Sequence, residues 1–129
     1  MIVPDTNIWI DHLRRPDDLF TALIIQKQVR LHPYVLGEIS LGLQGSARKF
    51  IELFGEVTPT PVAKSDEILA VIEKRKLYGT GIGYVDAHIL AATLLQQEGK
   101  LWTRDKKLEV QAKRLGIAYS PQSVTASML

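Results

Sequence analysis

Residues 84 to 98 carry apolar side chains nearly all the way round a helical projection, from Tyr84 and Val85 through Ile89, Leu90, Ala91 and Ala92 to Leu94 and Leu95. A helix without a polar face has to be covered on every side, so this one belongs at the centre of a domain. The rest of the chain supplies the cover. Ile2 to Pro4, Val29 to His32, Leu101 to Thr103 and Ile117 to Tyr119 are short strand-like runs. Between them the apolar residues take helical spacing at 6–14, 17–28, 34–43, 46–54, from Ser65 to about Tyr78, and at 106–115. Short strands alternating with helices predict an α/β fold, with a short-stranded parallel sheet and helices on both faces in three layers. No repeat, low-complexity segment or linker divides the chain, so residues 1–129 read as one domain.

Local signals fill in this frame. Ile8, Trp9 and Leu13 form the inner set of the first helix, and Leu19, Phe20, Leu23 and Ile24 that of the second, which Asp17 and Asp18 open after Pro16. Pro59 and Pro61 exclude helix and a central strand position from Val57–Val62. Ser65 is the expected cap of the next helix, with Ile68, Leu69, Ile72 and Leu77 inside. The two tryptophans Trp9 and Trp102 read as core, and the stripes Leu41/Leu43 and Phe50/Leu53/Phe54 read as core, with an interface groove for a partner as the alternative for part of them. Gly79-Thr80-Gly81-Ile82-Gly83 is a loop; no strand precedes it and no Gly-Lys-Ser/Thr follows, so it is not a phosphate loop. His12, His32 and His88 share no ligand spacing and read as structural or surface residues.

With 129 residues the chain buries roughly two-thirds of its unfolded surface. It has no cysteine, which excludes thiol catalysis and cysteine-ligated zinc or iron–sulfur sites and fits a reducing compartment. The N-terminus lacks a basic region followed by a long apolar run, and no apolar run reaches a membrane span, so a cytoplasmic protein is expected. Sixteen Lys and Arg against fourteen Asp and Glu give a net charge of +2, too mild by itself to mark a nucleic-acid binder.

Four acids stand in or beside apolar runs: Asp5, Glu38, Asp86 and Asp105. Carboxylates are rarely buried unless paired or bound to a metal. Asp5 and Asp105 each follow a predicted strand, which puts both beyond the carboxyl edge of the sheet, where ligands of open α/β sheets gather. Asp86 opens its helix and Glu38 interrupts a mostly apolar one. Two carboxylates about 4 Å apart repel by roughly 4 kcal/mol at an effective dielectric of 20, a penalty that a divalent cation removes. Hard oxygen donors favour Mg²⁺ or Mn²⁺. Each acid also has a local alternative: Asp5 and Asp105 as helix caps, Asp86 as a first-turn acid, Glu38 as an arginine partner. Spacing leaves both readings open.

The flanking residues add a resemblance. Asp5-Thr6-Asn7 after an apolar strand, Tyr34-Val35-Leu36-Gly37-Glu38-Ile39, Gly83-Tyr84-Val85-Asp86-Ala87-His88-Ile89-Leu90-Ala91-Ala92 and Trp102-Thr103-Arg104-Asp105-Lys106-Lys107-Leu108 resemble, in order, the acidic motifs of PIN-domain nucleases. Within that family the chain looks like a VapC-type toxin of a toxin–antitoxin pair. The resemblance implies a PIN-like fold and a Mg²⁺- or Mn²⁺-dependent endoribonuclease, homodimeric and inhibited by a cognate antitoxin. Asp5, Glu38, Asp86 and Asp105 carry over as the catalytic and metal-binding acids, with Asp5 and Asp86 as principal ligands. Asn7 and Thr103 match supporting polar positions. Apart from the resemblance, the basic residues Arg14, Arg15, Arg104, Lys106 and Lys107 are candidates for RNA phosphates near the metal, with Arg104 or Lys106 put first. Pro4 departs from the family pattern, which has an N–H there. Two other classes compete. A signalling receiver domain would need an acid pair after the first strand and a mid-chain phosphoacceptor, and the chain has neither. A non-catalytic PIN-like RNA-binding or assembly module would take up no specific Mg²⁺ or Mn²⁺.

Overall fold

Strand β1 (Ile2–Pro4) is buried at every position, as befits a parallel strand with both faces covered. It pairs in parallel with β2 (Lys100–Trp102), setting Ile2 opposite Lys100, Val3 opposite Leu101 and Pro4 opposite Trp102. The computed structural model describes residues 1–43, 49, 50, 52 and 55–121. Pro4 brings no N–H to the ladder, but the Asp5 N–H donates to the Trp102 carbonyl at 2.8 Å and carries the pairing one residue further. Single parallel bridges extend the sheet, Ile2 to Val29, Leu31 to Pro59 and Leu101 to Ala118. The runs expected as strands at 29–32 and 117–119 therefore join the sheet at single points. Beside Pro59 the pairing is carried by its neighbours: Leu31 N–H donates to the Thr58 carbonyl and Thr60 N–H to the Leu31 carbonyl.

The helices are α1 (Thr6–Arg14), α2 (Asp18–Ile25), α3 (Pro33–Gly42), α4 (Ser65–Lys74), α5 (Tyr84–Leu95) and α6 (Lys106–Arg114). Every residue of α5 from Ala87 to Thr93 is buried, and the helix packs on β1, β2, α3 and α4. It is the central element that its all-round apolar pattern predicts. A second packing centre is aromatic. Trp9 meets Phe20 edge-on at 4.8 Å and Phe50 at 5.6 Å, and Phe20 lies 5.4 Å from Trp102. Both tryptophans are thus core residues.

The structure corrects several local expectations. α2 ends at Ile25, short of residue 28, and α5 at Leu95, short of Glu98. Ser65 is the first helical residue of α4 and Lys64 is its cap; the Glu67 carboxylate reaches back to accept the Lys64 N–H at 2.8 Å. Leu41 is 89% exposed and Leu69 is likewise outside, so neither belongs to the core. Phe50 is buried and Leu43 partly so, whereas Leu53, Phe54 and most of the helix expected at 46–54 lie outside the described residues. The histidines are structural. His32 Nδ1 accepts the Tyr34 N–H at 2.9 Å and caps α3, His12 Nδ1 accepts the Asp17 N–H at 3.0 Å, and His88 is buried among the rings of His32, Tyr34 and Tyr84. Among the described residues no helix is long and apolar enough to cross a membrane.

Candidate active site

Because β1 and β2 run parallel, the residues just past them emerge at one edge of the sheet. Asp5 follows β1, and Thr103-Arg104-Asp105 follows β2. Asp5 caps α1, its Oδ1 accepting the Thr6 N–H at 2.7 Å. Its Oδ2 accepts the Thr103 hydroxyl at 2.9 Å. The same Thr103 oxygen accepts the Asp105 N–H at 3.0 Å, so one hydroxyl ties the two strand ends together. Asp105 in turn caps α6, accepting the Leu108 N–H at 3.0 Å. α3 delivers Glu38, whose Oε1 accepts the Thr6 hydroxyl at 2.8 Å. α5 delivers Asp86, whose Oδ2 folds back onto the Gly83 N–H at 3.2 Å.

Three of the local alternatives are therefore realised: Asp5 and Asp105 are caps, and Asp86 is a first-turn acid. Glu38 has a threonine partner where an arginine was the alternative. The caps do not exhaust the carboxylates. Among the described residues, Glu38 Oε2, Asp86 Oδ1 and Asp105 Oδ2 accept no hydrogen bond, and no Lys, Arg or His forms an ion pair with any of the four acids. The sequence suggested four acids in core surroundings, but the burial differs. Asp5 is 7% exposed, Asp86 is half-buried, and Glu38, in the middle of α3, and Asp105, at the cap of α6, are exposed.

The four acids feel one another. Burial raises the Asp5 carboxyl above its ordinary value; the Thr6 N–H and Thr103 hydroxyl pull it back, and the charges of Glu38 and Asp105 push it up again. Asp86 is raised by burial first, is lowered by the Gly83 N–H, and is raised by Asp5, Asp105 and Glu38. A cluster of mutually repelling carboxylates, none of them in an ion pair among the described residues, is the environment a divalent metal relieves. The donors are all hard oxygens, the set for Mg²⁺ or Mn²⁺. Among the described residues no three His, Asp or Glu side chains stand close enough to hold an ion as they are placed. The donor chemistry fits such an ion, and side-chain rotation would have to close the shell.

Of the supporting positions, Thr103 lies in the network. Asn7 is exposed and has no hydrogen-bond partner among the described residues. Thr6 fills the bridging role between Asp5 and Glu38, and sequence reasoning missed it. Its signal was available: a hydroxyl directly after a capping acid, at the sheet's carboxyl edge. Arg104 pairs with Asp11 of α1 and with none of the four acids, and Lys106 opens α6 and is exposed.

The PIN domain family model matches residues 2–114. Ribonuclease VapC32 of Mycobacterium tuberculosis, in strains CDC 1551 / Oshkosh and ATCC 25618 / H37Rv, is 34% identical over 122 residues, 95% of this chain and 98% of that protein. Among solved structures, FitAcB from Neisseria gonorrhoeae aligns with a TM-score of 0.60 at 23% identity, covering 95% of this chain and 99% of that one. FitAB bound to the IR36 DNA fragment aligns with a TM-score of 0.56 at 24% identity, covering 88% and 91%. These two likenesses concern the fold. The ordered acidic motifs, the parallel sheet edge that gathers them and the match along nearly the whole chain agree: the protein belongs to the PIN-domain family, in its VapC-type branch.

Proposed function

We propose that the chain is a Mg²⁺- or Mn²⁺-dependent endoribonuclease, the toxin of a toxin–antitoxin pair. One observation carries this reading: four carboxylates from four separate elements share an electrostatic neighbourhood, and among the described residues no Lys, Arg or His forms an ion pair with any of them. The 34% identity to a protein named as a ribonuclease supports the substrate class. Asp5 and Asp86 would hold the ion, with Glu38 and Asp105 completing the negative site. Bound there, the ion would supply charge neutralisation, polarisation of a phosphoryl oxygen and an acidified water for in-line attack.

The chain's own residues do the positioning. Thr103 fixes the Asp5 carboxylate and the backbone before Asp105, and Thr6 holds Glu38 against the start of α1. The expected products are a 5′-phosphate and a 3′-hydroxyl. A cytoplasmic homodimer and a cognate antitoxin complete the proposal, with the exposed Leu41, Leu69 and Leu95 as available apolar surface.

Asp5→Asn and Asp86→Asn should each lower RNA cleavage in Mn²⁺ by at least about a hundredfold. Cleavage that persists in both variants refutes the mechanism. The placement of the acids short of a closed shell favours a second reading, a non-catalytic RNA-binding module. Calorimetry separates the two, because that module takes up no specific Mg²⁺ or Mn²⁺.

A further inference from the structure

The loop between β2 and α6 sends its side chains two ways. Thr103 and Asp105 serve the carboxylate network, whereas Arg104 pairs with Asp11 of α1, and both partners are about half exposed, at 59% and 47%. The two belong to the lining of a surface cleft of about 370 Å³ that Arg14 and Arg15 also line. Arg14 and Arg15 are exposed and have no ion-pair partner among the described residues. The cleft's other acid, Asp17, is committed to capping α2, where it accepts the Phe20 N–H at 2.9 Å. Three arginines thus line the cleft with two acids, of which Asp11 is the one paired to an arginine and Asp17 the one held as a cap. The cleft adjoins the acidic site through α1, since Asp11 lies six residues beyond Asp5, about 9 Å along the helix axis at 1.5 Å per residue.

We infer that this cleft is a subsite for a backbone phosphate of the RNA flanking the scissile bond, with Arg104 as its anchor and Asp11 as the group that occupies Arg104 until RNA arrives. The inference rests on the ribonuclease reading given above. A guanidinium fork matches two phosphate oxygens and prefers them to water-exposed partners. An exposed ion pair is weak enough to be exchanged for a phosphate. The ligand is a phosphate and not a base, because the aromatic residues of the cleft, Phe20 and Trp102, are only 1% and 8% exposed and offer no face for stacking. Arg104 binds substrate and holds it in place; the acids act on the scissile bond.

Steady-state cleavage of a labelled single-stranded RNA in Mn²⁺ by the full chain tests this. Arg104→Gln should raise KM about tenfold with kcat little changed, and Arg104→Lys should fall between it and the wild type. Arg104→Gln should also flatten the plot of log kcat/KM against log salt by about 0.7, the share of one single-strand phosphate. Asp11→Asn should lower KM about threefold, and that gain should vanish in the double variant. If the wild type cleaves RNA while neither variant moves KM or the salt slope, the subsite is wrong and the nuclease reading stands. Should Arg104→Gln weaken capture of an acidic peptide but leave RNA kinetics alone, the cleft belongs to a protein partner and the inference fails. A wild-type chain that cleaves no RNA overturns both.

Discussion

Thr103 shows how much a single hydroxyl settles in this protein. It donates to the Asp5 carboxylate and accepts from the Asp105 backbone N–H, so one oxygen ties the Asp5 side chain to the backbone that carries Asp105. The titration of the buried groups follows from their surroundings and gives opposite signs. Asp5 and Asp86 are raised above 3.8, chiefly by burial, so the stability they contribute is full below that value and is lost as pH rises through the raised values. His32 is lowered from 6.5 to about 4 by burial first and by His88 second. Its neutral form is favoured in the fold, so its contribution is present above pH 6.5 and is lost as pH falls towards 4. We expect His32→Asn, which keeps an acceptor for the Tyr34 N–H, to flatten the fall of Tm across this acid range in EDTA. Asp86→Asn should steepen it by removing the opposing gain, and calorimetric melts of both variants running parallel to the wild type would contradict the assignment. At this scale the sequence was half legible. Asp5 and Asp105 could be placed because each follows a strand. The exposure of Glu38 could not, nor its bond to Thr6, a contact across 32 positions with no local signature.

Among the elements, α5 was the most legible, because a helix with no polar face has one place to go. Helix ends were the least legible. α2 and α4 stop at left-handed lysines, Lys27 and Lys76, with φ of 58° and 55°, where a sequence reader expects glycine. Leu77 N–H then closes back on the Ile72 carbonyl, and Gln28 N–H on the Leu23 carbonyl, so each helix ends earlier than its apolar spacing implies. The α5–β2 connection makes the reverse use of glycine. A Cβ at the buried Gly99 would run into the Thr93 carbonyl oxygen and meet Gln96 Cβ at 3.0 Å. Gly99→Ala therefore has to move the backbone just before β2, at a cost of about 2 kcal/mol. Its melt should fall by several degrees, and RNA cleavage should fall with it, since β2 delivers Thr103 and Asp105. A Tm within about one degree of the wild type would show that the turn relaxes freely.

For the molecule as a whole, a parallel sheet turns distance in sequence into proximity at one edge. β1 and β2 bring residues 5 and 103–105 side by side, and α3 and α5 add Glu38 and Asp86 from opposite ends of the chain's middle. That layout was legible because strand and helix alternation admits few arrangements. The extent of regular pairing was not, since single bridges at Val29, Pro59 and Ala118 depend on prolines and chain turns that periodicity does not register. The fold assembles the carboxylates, and their mutual repulsion is the strain that an ion would relieve. The thermal midpoint with and without Mn²⁺ tests this most directly. At a hundred times its dissociation constant, an ion bound only to the folded chain stabilises it by about 2.7 kcal/mol. The wild-type Tm should rise by several degrees on adding Mn²⁺, while the metal-free Tm of Asp86→Asn should start higher and respond little. An equal response in both proteins, or none in the wild type, would contradict a shared cation site.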